Sequence, residues 1–191
     1  MKLAVAKYKS LKQPPRGEAE LVVNEQHFSR IVVDGICSAD VSVDIMTADL
    51  KAMLVPDGSR RARSIVQVLR SLAQKGVEVR LLHAGVPSAP ALAEMKRALP
   101  RGLTIRRCPR LHAKAIILDA RRMYLGSANL TGAGLGAKAD GRRNFELGIW
   151  TESPGLIDSV LEEFNSLWEG HLCPGCGRRD VCPVPLEEPS L

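Results

Sequence analysis

Aromatic residues make up only 4% of this 191-residue chain, too few to build the stacking platform with which proteins grip unpaired bases. Any nucleic-acid contact would therefore be dominated by phosphates. No run of about 18 or more apolar residues occurs, which excludes a spanning helix and argues against a membrane partner. The first thirteen residues carry Lys2, Lys7, Lys9 and Lys12 without an apolar signal core, so the expected location is the cytoplasm. The five cysteines are an odd number, and three are crowded at Cys173, Cys176 and Cys182. That pattern fits a metal site in a reducing compartment better than a disulfide framework. Cys37 and Cys108, isolated within apolar stretches, read as buried thiols. No internal repeat is visible.

What is abundant is apolar material and arginine. Hydrophobic residues reach 45%, enough for a full core in a chain of this length. The net charge of +6 is arginine-heavy, with clusters at Arg60/Arg61/Arg63, Arg106/Arg107/Arg110, Arg121/Arg122 and Arg142/Arg143, which favours a polyanionic partner. The competing reading of such pairs is a solvated face.

Periodicity predicts alternating strands and helices. A loop over residues 10–19, with Pro14, Pro15 and Gly17, precedes a strand at Leu21–Val23, after which Asn24 is placed to cap a helix carrying Phe28, Ile31, Val32 and Ile36. Val41, Val43 and Ile45 alternate as a strand. Pro56 and Gly58 break the chain before a helix with Ile65, Val66, Val68, Leu69 and Leu72, stopped by Gly76 and followed by a strand at Val77–Leu82. A weaker helix at Pro90–Leu99 leads to a short strand at Leu103–Arg106. Ala113–Leu118 is almost wholly apolar, as a doubly buried strand requires, and Arg122–Leu125 returns toward a glycine turn. Phe145, Leu147 and Ile149 alternate, and Ser153-Pro154 opens a helix whose stripe runs Leu156, Ile157, Val160, Leu161, Phe164, Leu167 and Trp168. This order predicts an α/β fold, a mixed and largely parallel central sheet flanked by helices on both faces. The expected division is a catalytic domain over residues 1–170 and a cysteine-rich tail over 171–191.

The chemistry is concentrated in Leu111-His112-Ala113-Lys114-Ala115-Ile116-Ile117-Leu118-Asp119 and the following Gly126-Ser127-Ala128-Asn129. Residues two apart in a strand share a face, so His112 and Lys114 project together. An imidazole so placed can attack phosphorus while the ammonium neutralises phosphate oxygens, the electrostatic work that phosphoryl transfer mainly needs. Ser127 and Asn129, past a glycine turn, can face an anion. A satisfied core histidine is the competing reading of His112, but a histidine beside a lysine on one strand face is costly to bury without an anion.

These residues resemble the signature of the phospholipase D superfamily, His-x-Lys-x4-Asp followed by Gly-Ser-x-Asn, with every specified position present, and Asn144-x-Glu146 is similar to the family's downstream Asn-x-Glu element. The likeness covers residues 105–150. It implies a phosphodiesterase working through a phosphohistidine on His112, with no metal or other cofactor in catalysis. It further implies that Lys114 and Asn129 hold phosphate, that Ser127 belongs to the same site, and that Asp119 supports the site by ordering charge. Without the resemblance Asp119 would read as a turn former. Glu146 is expected to accept a hydrogen bond from the other nitrogen of His112, with a solvated strand carboxylate as the alternative. Lys138, Arg142 and Arg143 follow a glycine-rich, flexible segment and are expected to touch substrate.

The family mechanism needs two histidines, and this chain has one motif. His27, His83 and His171 are followed two residues on by Ser29, Gly85 and Cys173. The second imidazole is therefore expected from another copy of the chain, in a homodimer with two signatures at the interface, similar to the short bacterial endonucleases of the superfamily. The expected activity is an endonuclease on DNA or RNA. A lipid phosphodiesterase or phosphatidyl transferase, and a non-catalytic nucleic-acid-binding protein, are the alternatives. In the tail, His171, Cys173, Cys176 and Cys182 suggest a structural zinc site, with an iron–sulfur cluster as the competing reading because Cys182-Pro183 is similar to ferredoxin-type runs.

Overall fold

In the computed structural model, residues 19–56, 61–178 and 180–182 are described. Most of the expected loop over residues 10–19, together with Gly58, Arg60 and Pro183, lies outside them. The strands are β1 (Glu20–Val23), β2 (Ser42–Thr47), β3 (Leu54–Pro56), β4 (Ala62–Ser64), β5 (Glu78–His83), β6 (Leu103–Arg107), β7 (Ala115–Leu118), β8 (Arg122–Gly126) and β9 (Leu147–Thr151). The helices are α1 (Ile65–Gln74), α2 (Ala89–Met95) and α3 (Pro154–Trp168). A short π-helical segment (Phe28–Val33) and a 3-10 turn (Ile36–Ser38) fill the place of the helix expected after β1.

Seven strands form one sheet in the order β1-β9-β8-β7-β2-β5-β6, and β3 pairs with β4 in a separate hairpin. The α/β class and the mixed sheet are as expected, but the parallel part is confined to β2-β5-β6. Elsewhere β1/β9, β9/β8, β8/β7 and β7/β2 run antiparallel. The physical reason is the connections: only a few residues join β7 to β8, and so short a link can return the chain only antiparallel.

Alternation along each strand divides two cores. Val43, Ile45, Val79, Leu81, Ile116, Leu118, Tyr124 and Trp150 belong with α1 and the π-helical segment. Met46, Leu82 and Ala115 pack with Phe164 and Trp168 of α3, and Ile117 and Met123 with its Ile157. α1 starts where the Ser64 hydroxyl accepts a hydrogen bond from Gln67 N at 3.1 Å. It stops before Gly76, whose φ of +98° terminates the turn. It buries Ile65, Val66, Val68, Leu69 and Leu72. Each such side chain contributes about 1.5–3 kcal/mol, so Leu69→Ala would cost about 2–5 kcal/mol.

α3 opens on Pro154 and closes at Gly170, whose φ of +77° lets His171 N reach back to Ser166 O at 3.0 Å. On the sheet beneath it, Arg80 pairs with Asp44 at 2.6 Å and stacks over Phe164 at 4.7 Å. Arg106 donates to Trp168 O at 2.6 Å and covers the same residue's ring. Some of the arginine excess therefore works inside the fold, where guanidinium planes close the ends of the α3 core.

Candidate active site

Pairing register gathers the signature at one end of the sheet. Met46 faces Ala115, Ala115 faces Leu125, and Gly126 faces Gly148. Continuing these ladders by one residue brings Thr47, Lys114, Gly126 and Gly148 into a row, with Ser127 N bonded to Leu147 O at 2.9 Å. His112 and Lys114 lie just before β7 on an extended segment rather than inside the strand, and His112 is exposed. The Lys114 ammonium lies beside the imidazole, 3.1 Å from Nε2 and 3.3 Å from Nδ1, and donates to His112 O at 2.7 Å. Partial burial lowers the Lys114 pKa, and the Glu146 carboxylate offsets part of that effect.

Asn129 and Glu146 are anchored more firmly. Asn129 Oδ1 accepts from Asp49 N at 3.0 Å and lies 3.3 Å from the Thr47 hydroxyl, which donates to Asp49 O at 2.8 Å and accepts from Leu130 N at 2.9 Å. This fixes the amide and leaves its Nδ2 as a donor for an anion. Glu146 is buried; one carboxylate oxygen accepts from the Ser127 hydroxyl and the other from Asn144 Nδ2 at 3.0 Å. Its backbone is clamped to Asn24, with N bonded to Asn24 Oδ1 and O to Asn24 N, each at 3.0 Å. The expected bond from Glu146 to His112 is not made among the described residues; Ser127 and Asn144 bond the carboxylate instead. The helix-capping role expected for Asn24 gives way to this clamp, with Asn24 in the left-handed region at φ +49°.

Beneath the site lies a support that local patterns did not reveal. The Tyr124 ring runs against two glycines: a Cβ at Gly148 would stand 2.2 Å from Tyr124 Cε2, and one at Gly126 2.4 Å from its hydroxyl. That hydroxyl accepts from Ala128 N at 3.1 Å and lies 3.0 Å from His27 Nε2, while His27 Nδ1 lies 2.8 Å from Asn24 O. Since a carbonyl can only accept, Nδ1 carries the proton and Nε2 accepts from the phenol. Burial lowers the His27 pKa and pushes Tyr124 up to about 12, so both stay neutral. The chain Asn24-His27-Tyr124-Ala128 thus joins the Glu146 clamp to the turn that carries Asn129. Two glycines flanking one tyrosine across adjacent strands were the only available sequence signal.

Asp119 stands elsewhere. It lies seven residues beyond His112, past the far end of β7, roughly 20 Å away at the rise of a strand. Its Oδ1 accepts from the backbone N–H groups of Asp40, Val41 and Ser42 at 3.0, 2.7 and 3.1 Å, and its Oδ2 from Arg122 at 2.9 Å. Burial alone would raise its pKa, but these donors more than reverse that and leave it lowered. Its work is to fix the entry to β2, not to order charge around His112.

The glycine-bearing segment between Asn129 and Asn144 is a series of packed turns rather than a loose loop, with Leu135 fully buried. Arg143 is tied into it, donating to Lys138 O at 2.6 Å and pairing with Asp140. Lys138 and Arg142 remain exposed. In the tail, Cys173, Cys176 and Cys182 line a cavity that also borders His112, and Cys108 lines it with them; His171 does not. Among the described residues no three His, Cys, Asp or Glu side chains are gathered so as to hold one metal ion.

Comparison with curated protein sequences finds no match. Among the solved structures that resemble this chain, two are covered almost whole. One is Nuc from Salmonella typhimurium, a phospholipase D family member, with TM-score 0.61 and 23% identity over 81% of this chain and 95% of that one. The other is NucT from Helicobacter pylori, with TM-score 0.60 and 16% identity over 80% and 96%. TrmBL2, an archaeal chromatin protein that binds DNA, is similar at TM-score 0.52 and 15% identity over 84% of this chain and 55% of that one. The family model described as cardiolipin synthase, PLD-like domain, matches residues 32–168, so the chain belongs to the PLD-like domain family of the phospholipase D superfamily, with the cysteine tail beyond the matched span.

Proposed function

We propose that the protein is a phosphodiesterase, an endonuclease on DNA or RNA, that works as a homodimer through a phosphohistidine on His112. The observation that carries this reading is the exposed His112–Lys114 pair: an imidazole with no carboxylate bonded to it among the described residues, an ammonium 3.1 Å from its Nε2, and the Asn129 amide anchored nearby. Neutral His112 attacks phosphorus, forming the N–P bond as the bond to the leaving oxygen breaks, and an imidazolium from the second copy protonates that oxygen. The same second imidazole then takes a proton from the water that cleaves the N–P bond. Lys114 and Asn129 hold the phosphate oxygens as charge builds.

The dimer has support in an apolar strip beside the site. Phe145, Leu147 and Leu21 are 96%, 59% and 54% exposed, on residues adjoining Glu146 and its Asn24 clamp. Such a strip fits a second copy whose His112 would face the first. No helix among the described residues is long and apolar enough to cross a membrane. The matching family's name keeps one other reading open, phosphatidyl transfer.

The test is cleavage of single- and double-stranded DNA, RNA and phosphatidylcholine vesicles by the purified protein, with and without chelator. Nucleic-acid cleavage that persists in chelator is expected, since an imidazole nucleophile needs no metal-bound water. Rapid loss restored by magnesium, or turnover of lipid alone, would overturn the reading. For the dimer, wild-type and His112→Ala subunits are mixed to full exchange. Activity should follow the square of the wild-type fraction; a linear dependence would mean a complete site in each chain.

A further inference from the structure

The one motif that the phosphodiesterase reading leaves unused is the cysteine tail, and its partner in space comes from elsewhere in the chain. A cavity of about 280 Å³ is walled by Cys108, Cys173, Cys176 and Cys182, with Met46, Leu111, Leu167 and Leu172 supplying apolar surface. None of the four cysteines is in a disulfide. Cys173, Cys176 and Cys182 are carried on consecutive turns: Cys176 N bonds to Cys173 O at 3.1 Å, Gly175 turns the chain at φ +73°, and Cys182 N bonds to Arg178 O at 2.9 Å. Cys108 enters from β6, its N–H bonded to His83 O at 2.8 Å. Arg110 lies against Cys176 and faces Cys108 and Cys173, and Arg178 borders the same cavity. His171, the nearest alternative ligand in sequence, is exposed and outside it.

We propose that Cys108, Cys173, Cys176 and Cys182 form a four-thiolate site for an iron–sulfur cluster of the four-iron type. A single zinc would need its sulfurs about 2.3 Å from one point. Here the four thiols line one cavity of about 280 Å³, room for a body of several atoms rather than a single ion. A cluster replaces the point with a body of several atoms and holds its thiolates correspondingly farther apart. The apolar wall keeps water from the sulfides, and the two guanidinium groups counter the negative charge of a cluster with four thiolates. Because Pro109, Arg110, Leu111, His112 and Ala113 border the same cavity, the cluster staples the segment that carries the nucleophile to the chain beyond α3.

Protein purified without oxygen should contain about four irons and four acid-labile sulfides per chain, with visible absorption that bleaches on reduction by dithionite. Cys108→Ser should lose that iron, whereas His171→Ala and Cys37→Ser should keep it. Alkylation of the wild-type protein reports the same ligands without any substitution. Iodoacetamide on the cluster-bearing protein should modify Cys37 and spare the other four cysteines, and after cluster removal it should modify all five, as mapped by mass spectrometry. One zinc per chain in place of iron, full iron in Cys108→Ser, protection that excludes Cys108, or protein without metal would each overturn the assignment.

Discussion

Glu146 and His112 stand at the same end of the sheet and are held in opposite ways. Glu146 is buried, with both carboxylate oxygens and its backbone N–H and C=O bonded. His112 is exposed, on a segment outside the strand, and among the described residues its ring is within hydrogen-bonding distance of Lys114 alone. In the proposed reaction the difference separates two tasks. The buried half fixes where a phosphate can sit, through Ser127, Asn129 and the Tyr124 support. The exposed half is left able to form a bond to that phosphate and to break it again, which a fully bonded imidazole could not do without losing its partners.

The sharpest break in this comparison is His112→Ala. Turnover should fall at least ~1000-fold while the melting temperature stays at the wild-type value, because no buried contact is lost; a melting temperature that falls with activity would place His112 in the support instead. The opposite case is Gly148→Ala. A methyl group there meets the Tyr124 ring and should cost about 1–3 kcal/mol or more in denaturant unfolding, with activity falling only as the fold does. An unchanged midpoint would mean that Tyr124 is not wedged. Asp119→Ala should also cost stability, about 1–3 kcal/mol for backbone donors left without an acceptor, yet retain the rate per folded molecule. A catalytic loss in a fully folded Asp119→Ala protein would return that carboxylate to the active site.

The smallest effect is one of pH. Burial lowers the pKa values of both His27 and His83 from their ordinary 6.5, so each is neutral in the fold while the unfolded chain takes up protons below that value. Their contribution to stability is complete above 6.5 and is lost as the pH falls through the folded pKa values. Thermal unfolding scanned downward from neutral pH should show this decline, and it should be shallower in His27→Gln. A melting temperature flat across that range, or rising as the pH falls, would contradict the neutral His27–Tyr124 bond.

Legibility in the sequence followed how local each feature was. α1, α3 and β7 could be read because burial imposes a period, or a continuous apolar run, on a single stretch of chain. His112, Lys114, Ser127 and Asn129 could be seen to belong together because one strand and one turn carry them. Asp119 was misplaced for the same reason: a short interval in sequence becomes a whole strand length once the chain is extended. The partners of Glu146 were hidden because Asn24 and Ser127 reach it from the ends of other strands, and Cys108 because its meeting with the tail depends on where β6 ends relative to α3. The β3–β4 hairpin, with three residues per strand, is too short to impose any period.

Pairing of β1 with β9 joins Glu20 to Trp150 and Val23 to Leu147 across most of the chain. Closing so long a loop carries a large entropic cost before any contact rewards it, and pairings of this kind are slow to form. Asn24 follows β1 directly, and it is the residue that clamps Glu146. The hairpin of β7 and β8 can form early from local contacts, but the acidic half of the site is locked only when the first strand arrives. Competence for chemistry is therefore expected to appear at the end of folding, as a late kinetic phase distinct from formation of the central strands.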